Sequence, residues 1–376
     1  MSQILDYLNS QQHTMITMLE QWVNHDSPTF DKPAVDQMGR MLVEAFVGAG
    51  CTLAQTYPQP ERGDHYRLTY GRGDRQILVL AHFDTVWPRG EAAKRPFTID
   101  NGYGKGPGVH DMKSGILIGL FALKALHQLG LTPHYQLVYL LTSDEEIGSP
   151  TSKELIEAEG RKSSYCLVLE GSLGGPLTTW RKGVGNFRLE ITGVPAHAGV
   201  EPHKGVSAIA ELAHQIQTLH AMTDLGRGVT VNVGTIAGGE RSNIVARTAH
   251  AEIDLRVMSR ADGEEFTRRI LDLQPHLPGC KISVAGGINR WPFEETPAGL
   301  ALFEKAQAIA RDLGFEVGKT GSGGGSDGNF VSALGTPTLD GLGSLGGGAH
   351  SLGEYTSLAA LPQRAALLTE LIRQLS

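Results

Sequence analysis

Two histidines and a set of carboxylates stand where apolar segments of this chain end. The stretch ILVLAHFDTV, residues 77–86, begins as an apolar run and then places His82 and Asp84 two positions apart. The same change recurs along the chain and gives these further candidates: Asp111, Asp144, Glu145, Glu146, Glu170 and His350. Imidazole nitrogen and carboxylate oxygen in this ratio suit zinc, whereas carboxylates alone would suit magnesium or calcium.

A pair of divalent ions would account for most of these residues. The candidate ligands are His82, Asp111, Glu146, Glu170 and His350. Asp111 could bridge the two ions, with one histidine and one glutamate completing each. Metals about 3.5–4 Å apart can share a hydroxide and polarise a carbonyl group. Asp84 would accept the second N–H of His82 and fix its tautomer.

Each candidate also has an ordinary structural explanation. His82 alone could be a buried core histidine, and Asp111 could cap the helix that follows it. The glutamates could be solvated loop residues or begin a helix, and His350 could lie on the surface of a glycine-rich loop. The metal site is favoured because all five candidates could converge on the same edge of one sheet, and separate ordinary explanations for all of them together are improbable.

The order of the predicted elements indicates an α/β fold with a mostly parallel sheet. Strands are expected near residues 65–70, 76–82, 135–143 and 164–170, and helices near 2–24, 33–49, 113–129 and 151–159. Continuous apolar strands alternating with helices are typical of parallel sheets covered on both faces. Ligands bind outside the carboxyl ends of such strands, which is where the polar candidates stand.

The pattern changes between residues 183 and 290. Strands and helices there follow the order β-α-β-β-α-β, a ferredoxin-like α+β arrangement, with Asp262 as a plausible N-cap of the second helix. The β/α pattern resumes after Trp291. We therefore expect a catalytic domain made of residues 1–182 and 291–376, with residues 183–290 inserted into it.

Composition excludes several classes of partner. The chain has 376 residues and a net charge of −7, and no basic run suggests nucleic acid or an anionic membrane as partner. Its three cysteines form no C-x-x-C motif, which fits a reducing compartment. The start of the sequence lacks the features of a signal peptide, and the apolar stretch 115–126 is shorter than the ~20 residues of a membrane span. A cytoplasmic protein is expected.

Several motifs together resemble the zinc-dependent aminoacylase and carboxypeptidase family. In chain order they are HFDTV, GPGVHDMKSG, TSDEEIGS, VPAHAG and GGERSNIVARTAHAEIDLR. That family includes glutamate carboxypeptidases, acetylornithine deacetylases, succinyl-diaminopimelate desuccinylases, dipeptidases and tripeptidases. The resemblance spans about residues 10–375 and looks closest to bacterial glutamate carboxypeptidases, partly because the ligand after the strand YCLVL is glutamate.

The resemblance implies two zinc ions per subunit, for which cobalt or manganese could substitute. His82 and Glu170 would hold one ion, and Glu146 and His350 the other, with Asp111 between them. Glu145 would be the general base, which takes a proton from water and passes it to the leaving amine.

The resemblance also implies a role for the inserted domain as a lid and dimerisation domain. His197 would reach the partner subunit's site and stabilise the oxyanion, although a surface histidine is the ordinary alternative. Asn243, Arg256 and Arg290 would grip the substrate carboxylate, although Arg256 could simply lie on the exposed face of a strand. Gly324 and Gly325, with Gly323, would bring backbone N–H groups to that carboxylate; their segment lacks the ending of a phosphate-binding loop.

The expected activity is hydrolysis of an amide that releases a free amino acid. A glutamate carboxypeptidase-like exopeptidase acting on C-terminal residues of small peptides or N-acyl conjugates is the first hypothesis. An N-acyl amino acid deacylase of the acetylornithine or desuccinylase type is the second. An inactive binding protein on the same fold is the third, and the completeness of the ligand set argues against it.

Overall fold

The computed structural model describes residues 3–375, which fold as two compact units. The first unit comprises residues 3–180, 295–321 and 326–375. The second comprises residues 181–294 together with the short glycine-rich segment 322–325.

The helices and strands of both units are numbered along the chain. In chain order the helices are α1 (Gln3–Ser10), α2 (Gln12–Val23), α3 (Lys32–Gly48), α4 (Glu91–Lys94), α5 (Ser114–Gln128), α6 (Lys153–Lys162), α7 (Ala208–His220), α8 (Arg260–Leu271), α9 (Pro297–Asp312), α10 (Gly328–Ser332) and α11 (Ala360–Gln374). The strands are β1 (Thr52–Tyr57), β2 (His65–Tyr70), β3 (Gln76–His82), β4 (Thr98–Asp100), β5 (Tyr103–Lys105), β6 (Gln136–Thr142), β7 (Ser163–Val168), β8 (Ser172–Leu173), β9 (Leu177–Arg181), β10 (Gly183–Thr192), β11 (Thr230–Gly238), β12 (Thr248–Val257), β13 (Lys281–Arg290), β14 (Lys319–Ser322), β15 (Thr338–Leu339), β16 (Leu345–Gly347) and β17 (Tyr355–Ser357).

The central sheet of the first unit has the order β1-β2-β6-β3-β7-β15. Strands β6, β3, β7 and β15 run parallel to one another, and β1 and β2 add an antiparallel edge. Every residue of β3 is buried. Its odd-numbered positions, such as Ile77 and Val79, face one apolar cluster, and Leu78 and Leu80 face another. The apolar run therefore reflects a strand covered on both faces, and the predicted mostly parallel α/β fold is confirmed.

A second sheet of the first unit carries the C-terminal part of the candidate site. Its order is β4-β5-β17-β16-β8, and β16 runs parallel to β8. Because β8 follows Glu170 and β16 precedes His350, this pairing joins the chain segments that carry two of the candidate ligands.

The second unit is built on an antiparallel sheet of order β11-β12-β10-β13. Buried and exposed residues alternate along β10 and β12, so one face of this sheet packs on helices α7 and α8. The element order is β-α-β-β-α-β, as predicted for the inserted α+β domain.

Two local predictions are wrong. The single helix expected over residues 2–24 is divided at Gln11, where the Ser10 hydroxyl donates to the carbonyl of Tyr7 (2.6 Å) and competes with the helical hydrogen bonds. Helix α8 is capped by Ser259 instead of Asp262, because the Ser259 hydroxyl accepts the N–H of Asp262 (3.1 Å). Within residues 3–375, no helix is both long and apolar enough to cross a bilayer.

Candidate active site

Three neighbouring parallel strands carry candidate residues at one edge of the central sheet. His82 is the last residue of β3, Glu145 and Glu146 follow β6, and Glu170 follows β7. Since the carboxyl ends of parallel strands share an edge, these side chains are mounted on the buried core of the first unit.

Asp111 lies between the two candidate histidines. Its Oδ1 is 3.0 Å from Nε2 of His82, and its Oδ2 is 3.2 Å from Nε2 of His350. Each histidine also has a second carboxylate nearby: Glu170 Oε1 is 3.6 Å from His82 Nε2, and Glu146 Oε2 is 3.0 Å from His350 Nε2. The five candidates thus form two groups that share Asp111.

The structure tests the ordinary alternatives for Asp111 and His350. Asp111 does not cap the following helix, because α5 begins at Ser114 and is preceded by Lys113, with no side-chain hydrogen bond at its cap. His350 does lie exposed in its glycine-rich loop, and its ring nevertheless contacts the Asp111 and Glu146 carboxylates.

Asp84 holds both His82 and the turn that carries the paired glutamates. His82 Nδ1 is 3.1 Å from the Asp84 backbone oxygen and 3.4 Å from its Oδ1, so the Nδ1 hydrogen is directed here and Nε2 faces Asp111. The buried Asp84 carboxylate also accepts the backbone N–H groups of Glu145 (3.2 Å) and Glu146 (3.3 Å) and the Thr29 hydroxyl (2.8 Å).

The paired glutamates lie in a short 3-10 helix, Glu145–Ile147. The backbone N–H groups of both residues are directed to the Asp84 carboxylate, and the chain bends there. Consecutive side chains of a 3-10 helix still point about 120° apart, at three residues per turn. Glu145 and Glu146 therefore still project in different directions.

A residue that the sequence did not single out organises the segment before Asp111. Glu354 is buried, and its carboxylate accepts four N–H groups, from Trp87 Nε1 (3.2 Å), Gly108 (2.9 Å), His110 (2.8 Å) and Asp111 (3.0 Å). Burial raises the pKa of Glu354, although these backbone hydrogen bonds oppose the rise. Its only signal in the sequence is an acidic residue four positions after His350.

The electrostatics favour positive charge at both histidines. Burial would lower the pKa of His82, but hydrogen bonds with neighbouring carboxylates raise it well above its ordinary value. Hydrogen bonds with two carboxylates raise the pKa of His350 to about 10. Burial opposes ionisation of Asp111, yet the two histidines lower the pKa of its carboxyl. In the absence of a metal ion, protons on the two rings supply the cations that this cluster of carboxylates requires.

The donor set fits a pair of metal ions. One ligand atom from each of His82, Asp111 and Glu146 lies within 4.8 Å of the others. Ligand atoms around a tetrahedral zinc, each at about 2.0–2.1 Å, are separated by about 3.3 Å. The observed separations of 3.0–3.6 Å between each histidine and its carboxylates are close to that value.

In the second unit, His197 has a defined ring orientation. Its Nδ1 accepts the backbone N–H groups of Gly199 and Val200, each at 3.2 Å. The ring hydrogen consequently lies on Nε2, which makes this exposed edge of the imidazole a donor. Asn243 lies beside it, because its backbone oxygen accepts the N–H of Ala198 (3.0 Å).

The two candidate arginines occupy one row of the antiparallel sheet. Both Arg256 and Arg290 pair with Val184, from opposite sides. Arg256 Nε and Nη2 donate to the Asp254 carboxylate at 2.9–3.1 Å, and Arg290 is buried. The segment with Gly324 and Gly325 belongs to the same unit, but the Gly324 N–H already donates to Ser322 Oγ (3.0 Å).

Comparison with known proteins agrees with this geometry. A model of the family described as Peptidase family M20/M25/M40 matches residues 78–374. The chain is 29% identical to carboxypeptidase G2 from Pseudomonas sp. (strain RS-16), covering 97% of this chain and 90% of that protein. It is 26% identical to succinyl-diaminopimelate desuccinylase from Psychrobacter arcticus, covering 100% and 99%.

The fold of the whole chain has also been seen before. A solved structure of the aminopeptidase PepT from Bacillus cereus has a TM-score of 0.76 at 23% identity and covers 96% of this chain and 98% of its own. The family resemblance inferred from the motifs is confirmed. Because the family model spans most of the sequence, including every candidate ligand, the chain belongs to peptidase family M20/M25/M40 and is a metal-dependent hydrolase.

Proposed function

We propose that this chain is a two-zinc exopeptidase that releases a C-terminal amino acid from a small peptide or an N-acyl conjugate. The observation that carries the proposal is Asp111, whose two carboxylate oxygens each contact a different histidine beside the Glu145–Glu146 turn. Similarity to carboxypeptidase G2 along nearly the whole chain supports a carboxypeptidase over other hydrolases.

The proposed ligands divide into two sets. His82 with Glu170 would hold one ion, His350 with Glu146 would hold the other, and Asp111 would contact both. Zinc suits this mixture of imidazole and carboxylate, and cobalt or manganese could replace it. When bound, the ions supply positive charge that polarises the scissile carbonyl and acidifies water.

Glu145 is the proposed general base. It would accept a proton from the attacking water and deliver it to the nitrogen of the leaving amino acid. The N–H of Glu145 is held by Asp84, whose backbone oxygen also contacts the His82 ring (3.1 Å). Asp84 therefore holds both the proposed base and one proposed metal ligand in position. Such fixed positions suit a reaction whose rate depends on the orientation of the reacting groups.

Residues 183–290 are proposed to act as the lid and dimerisation domain of the catalytic domain, which comprises residues 1–182 and 291–376. His197 would donate its Nε2 hydrogen to the oxyanion in the partner subunit's site. Its ring orientation supports this role, because both local N–H groups occupy Nδ1 and leave Nε2–H available.

Asn243, Arg256 and Arg290 are the proposed ligands of the substrate carboxylate, together with the backbone of Gly324 and Gly325. A planar guanidinium can meet a carboxylate with two hydrogen bonds. Arg256 is already engaged with Asp254, so this role requires it to use its remaining N–H groups or to exchange partners.

A reducing compartment, the cytoplasm, is the proposed location. Cys51, Cys166 and Cys280 are all buried free thiols. Burial raises the pKa of Cys51 to about 12 and that of Cys166 well above its ordinary value, which keeps both thiols unreactive.

The second candidate is an N-acyl amino acid deacylase. Similarity to succinyl-diaminopimelate desuccinylase over the complete chain favours it, and the proposed metal chemistry would be the same. The two functions differ in which part of the substrate is recognised, so substrate preference separates them.

A substrate panel tests the proposal. Zinc-loaded protein would be given an aryl-glutamate conjugate, dipeptides, acetylornithine and succinyl-diaminopimelate. The amine released from each compound would be quantified. Faster release of glutamate from the aryl conjugate supports the carboxypeptidase. Faster release from acetylornithine or succinyl-diaminopimelate supports the deacylase. Release from none of these compounds contradicts both functions.

A further inference from the structure

The carboxylate of Glu354 lies at the centre of the two segments that carry Asp111 and His350. Its side chain is 1% exposed. Oε1 accepts the backbone N–H groups of His110 (2.8 Å) and Asp111 (3.0 Å), while Oε2 accepts Gly108 N–H (2.9 Å) and Trp87 Nε1–H (3.2 Å). One buried anion thus fixes three backbone groups in the four residues that end at Asp111.

The same residue closes the turn that presents His350. Residues 348–354 fold back on themselves, with Ser351 N–H donating to Gly348 O (3.0 Å) and Glu354 N–H donating to Ser351 O (3.2 Å). His350 has a positive φ of 60° in this turn, an uncommon backbone conformation for a residue other than glycine. A turn of this kind needs anchoring if its imidazole is to keep one direction.

A second contact joins this turn to the segment after Asp84. The Arg95 guanidinium lies 4.3 Å from the centre of the Trp87 ring and donates from Nη1 to Leu352 O (3.2 Å). Trp87 in turn donates to Glu354. The chain segments after Asp84, before Asp111 and after His350 are therefore tied together through Glu354 and Trp87.

We propose that Glu354 is a positioning residue for the metal pair: it sets the direction of Asp111 and holds His350 opposite it. The Glu354 carboxylate accepts hydrogen bonds from backbone N–H groups and from the Trp87 ring, so it acts through the backbone of Asp111 and through the turn. This inference rests on the proposed function, because it assumes that Asp111 and His350 bind metal.

Glu354→Gln tests the proposal with almost no change in volume. An amide has one acceptor oxygen, and its NH₂ group would face two of the four N–H donors. We expect the affinity for zinc, measured by competition with a chromophoric chelator in the absence of substrate, to fall about 10–100-fold, the usual cost of losing a group that orients a metal ligand. The cobalt-substituted protein should also show an altered visible absorption spectrum.

A matched control comes from the second unit. Glu211 is also buried and accepts two backbone N–H groups, from His276 (2.9 Å) and Leu277 (2.7 Å). Glu211→Gln should lower the melting temperature of the metal-free chain and leave zinc affinity unchanged. A Glu354→Gln protein that melts lower but binds zinc as tightly as the unaltered chain would show that Glu354 only stabilises the fold, which overturns the proposal.

If the Glu354→Gln protein does not fold, Glu354→Asp provides a second test of the proposal. Aspartate keeps the charge but is one methylene shorter, so it cannot reach the Asp111 segment while the His350 turn stays in place. Weaker zinc binding supports the proposal, and unchanged binding contradicts it. Because these measurements need no substrate, failure of every compound in the panel would overturn the proposed function without affecting them.

Discussion

Glu145 and Glu146 are adjacent in the chain but have different surroundings. The Glu146 side chain is only 4% exposed and contacts His350 at 3.0 Å. Both backbone N–H groups are held by Asp84, so replacing one side chain leaves the turn in place. Mutation of each glutamate in turn can therefore test the proposed roles of Glu145 in proton transfer and of Glu146 in metal binding.

We expect Glu145→Gln to bind zinc with unaltered affinity and to lower kcat by about 10²–10⁴, the usual contribution of a general base. Metal content and kcat would be measured on the same sample. Glu146→Gln is the comparison, because it should lose metal. Full turnover in Glu145→Gln would show that another group accepts the proton.

His197 allows a second prediction about a single residue. With Nδ1 occupied by two backbone N–H groups, its Nε2–H can stabilise negative charge that develops on the substrate. His197→Ala should lower kcat about 10²–10³-fold with a smaller change in KM, as expected for a donor that acts in the transition state. The exposed His203 of the same segment provides the control, and an equal loss in His203→Ala would contradict a specific role.

The candidate residues at the ends of the strands could be predicted from the sequence, because the apolar run that marks each strand directly precedes them. His82 and Glu170 each follow an apolar run that identifies a buried parallel strand, and the topology alone brings them to one edge. Glu354 could not be predicted in this way, since its partners Gly108 and Asp111 lie more than 240 residues earlier in the chain. Strand β1 was missed because most of its residues are exposed and carry no apolar pattern.

We expect the contact between helix α7 and the segment after α8, which Glu211 makes, to depend on pH. Burial opposes ionisation of Glu211, but hydrogen bonds from Gln215 and from the backbone N–H groups of His276 and Leu277 lower its pKa below the usual 4.5. A carboxyl whose pKa is lower in the folded state stabilises the fold above its unfolded pKa. That stabilisation is lost as the pH falls through the folded value.

Glu211→Gln should therefore lower the free energy of unfolding by about 1–3 kcal/mol at pH 7, since buried N–H groups lose a charged acceptor. The difference from the unaltered protein should shrink as the pH falls below 4.5. Urea unfolding at several pH values, followed through the second unit, provides the measurement. If the difference in the free energy of unfolding between the two proteins does not change with pH, the charge of Glu211 contributes nothing to stability.

At the scale of the molecule, the cluster of carboxylates belongs wholly to the first unit. Its charge is balanced in the metal-free chain by protons on His82 and His350, whose pKa values are raised. Metal ions bound by these proposed ligands would displace those protons, so we expect binding to release protons and to strengthen as the pH rises toward 10, the value to which the pKa of His350 is raised.

Removal of the metals should consequently affect stability and activity together. A ligand present at 100 times its Kd stabilises the state that binds it by about 2.7 kcal/mol. We expect a chelator to abolish amide hydrolysis and to lower the melting temperature of the first unit, with zinc restoring both. The second unit contains none of the proposed metal ligands, so its unfolding transition should stay unchanged. Hydrolysis that neither falls with chelator nor returns with zinc would exclude a metal-dependent reaction at this site.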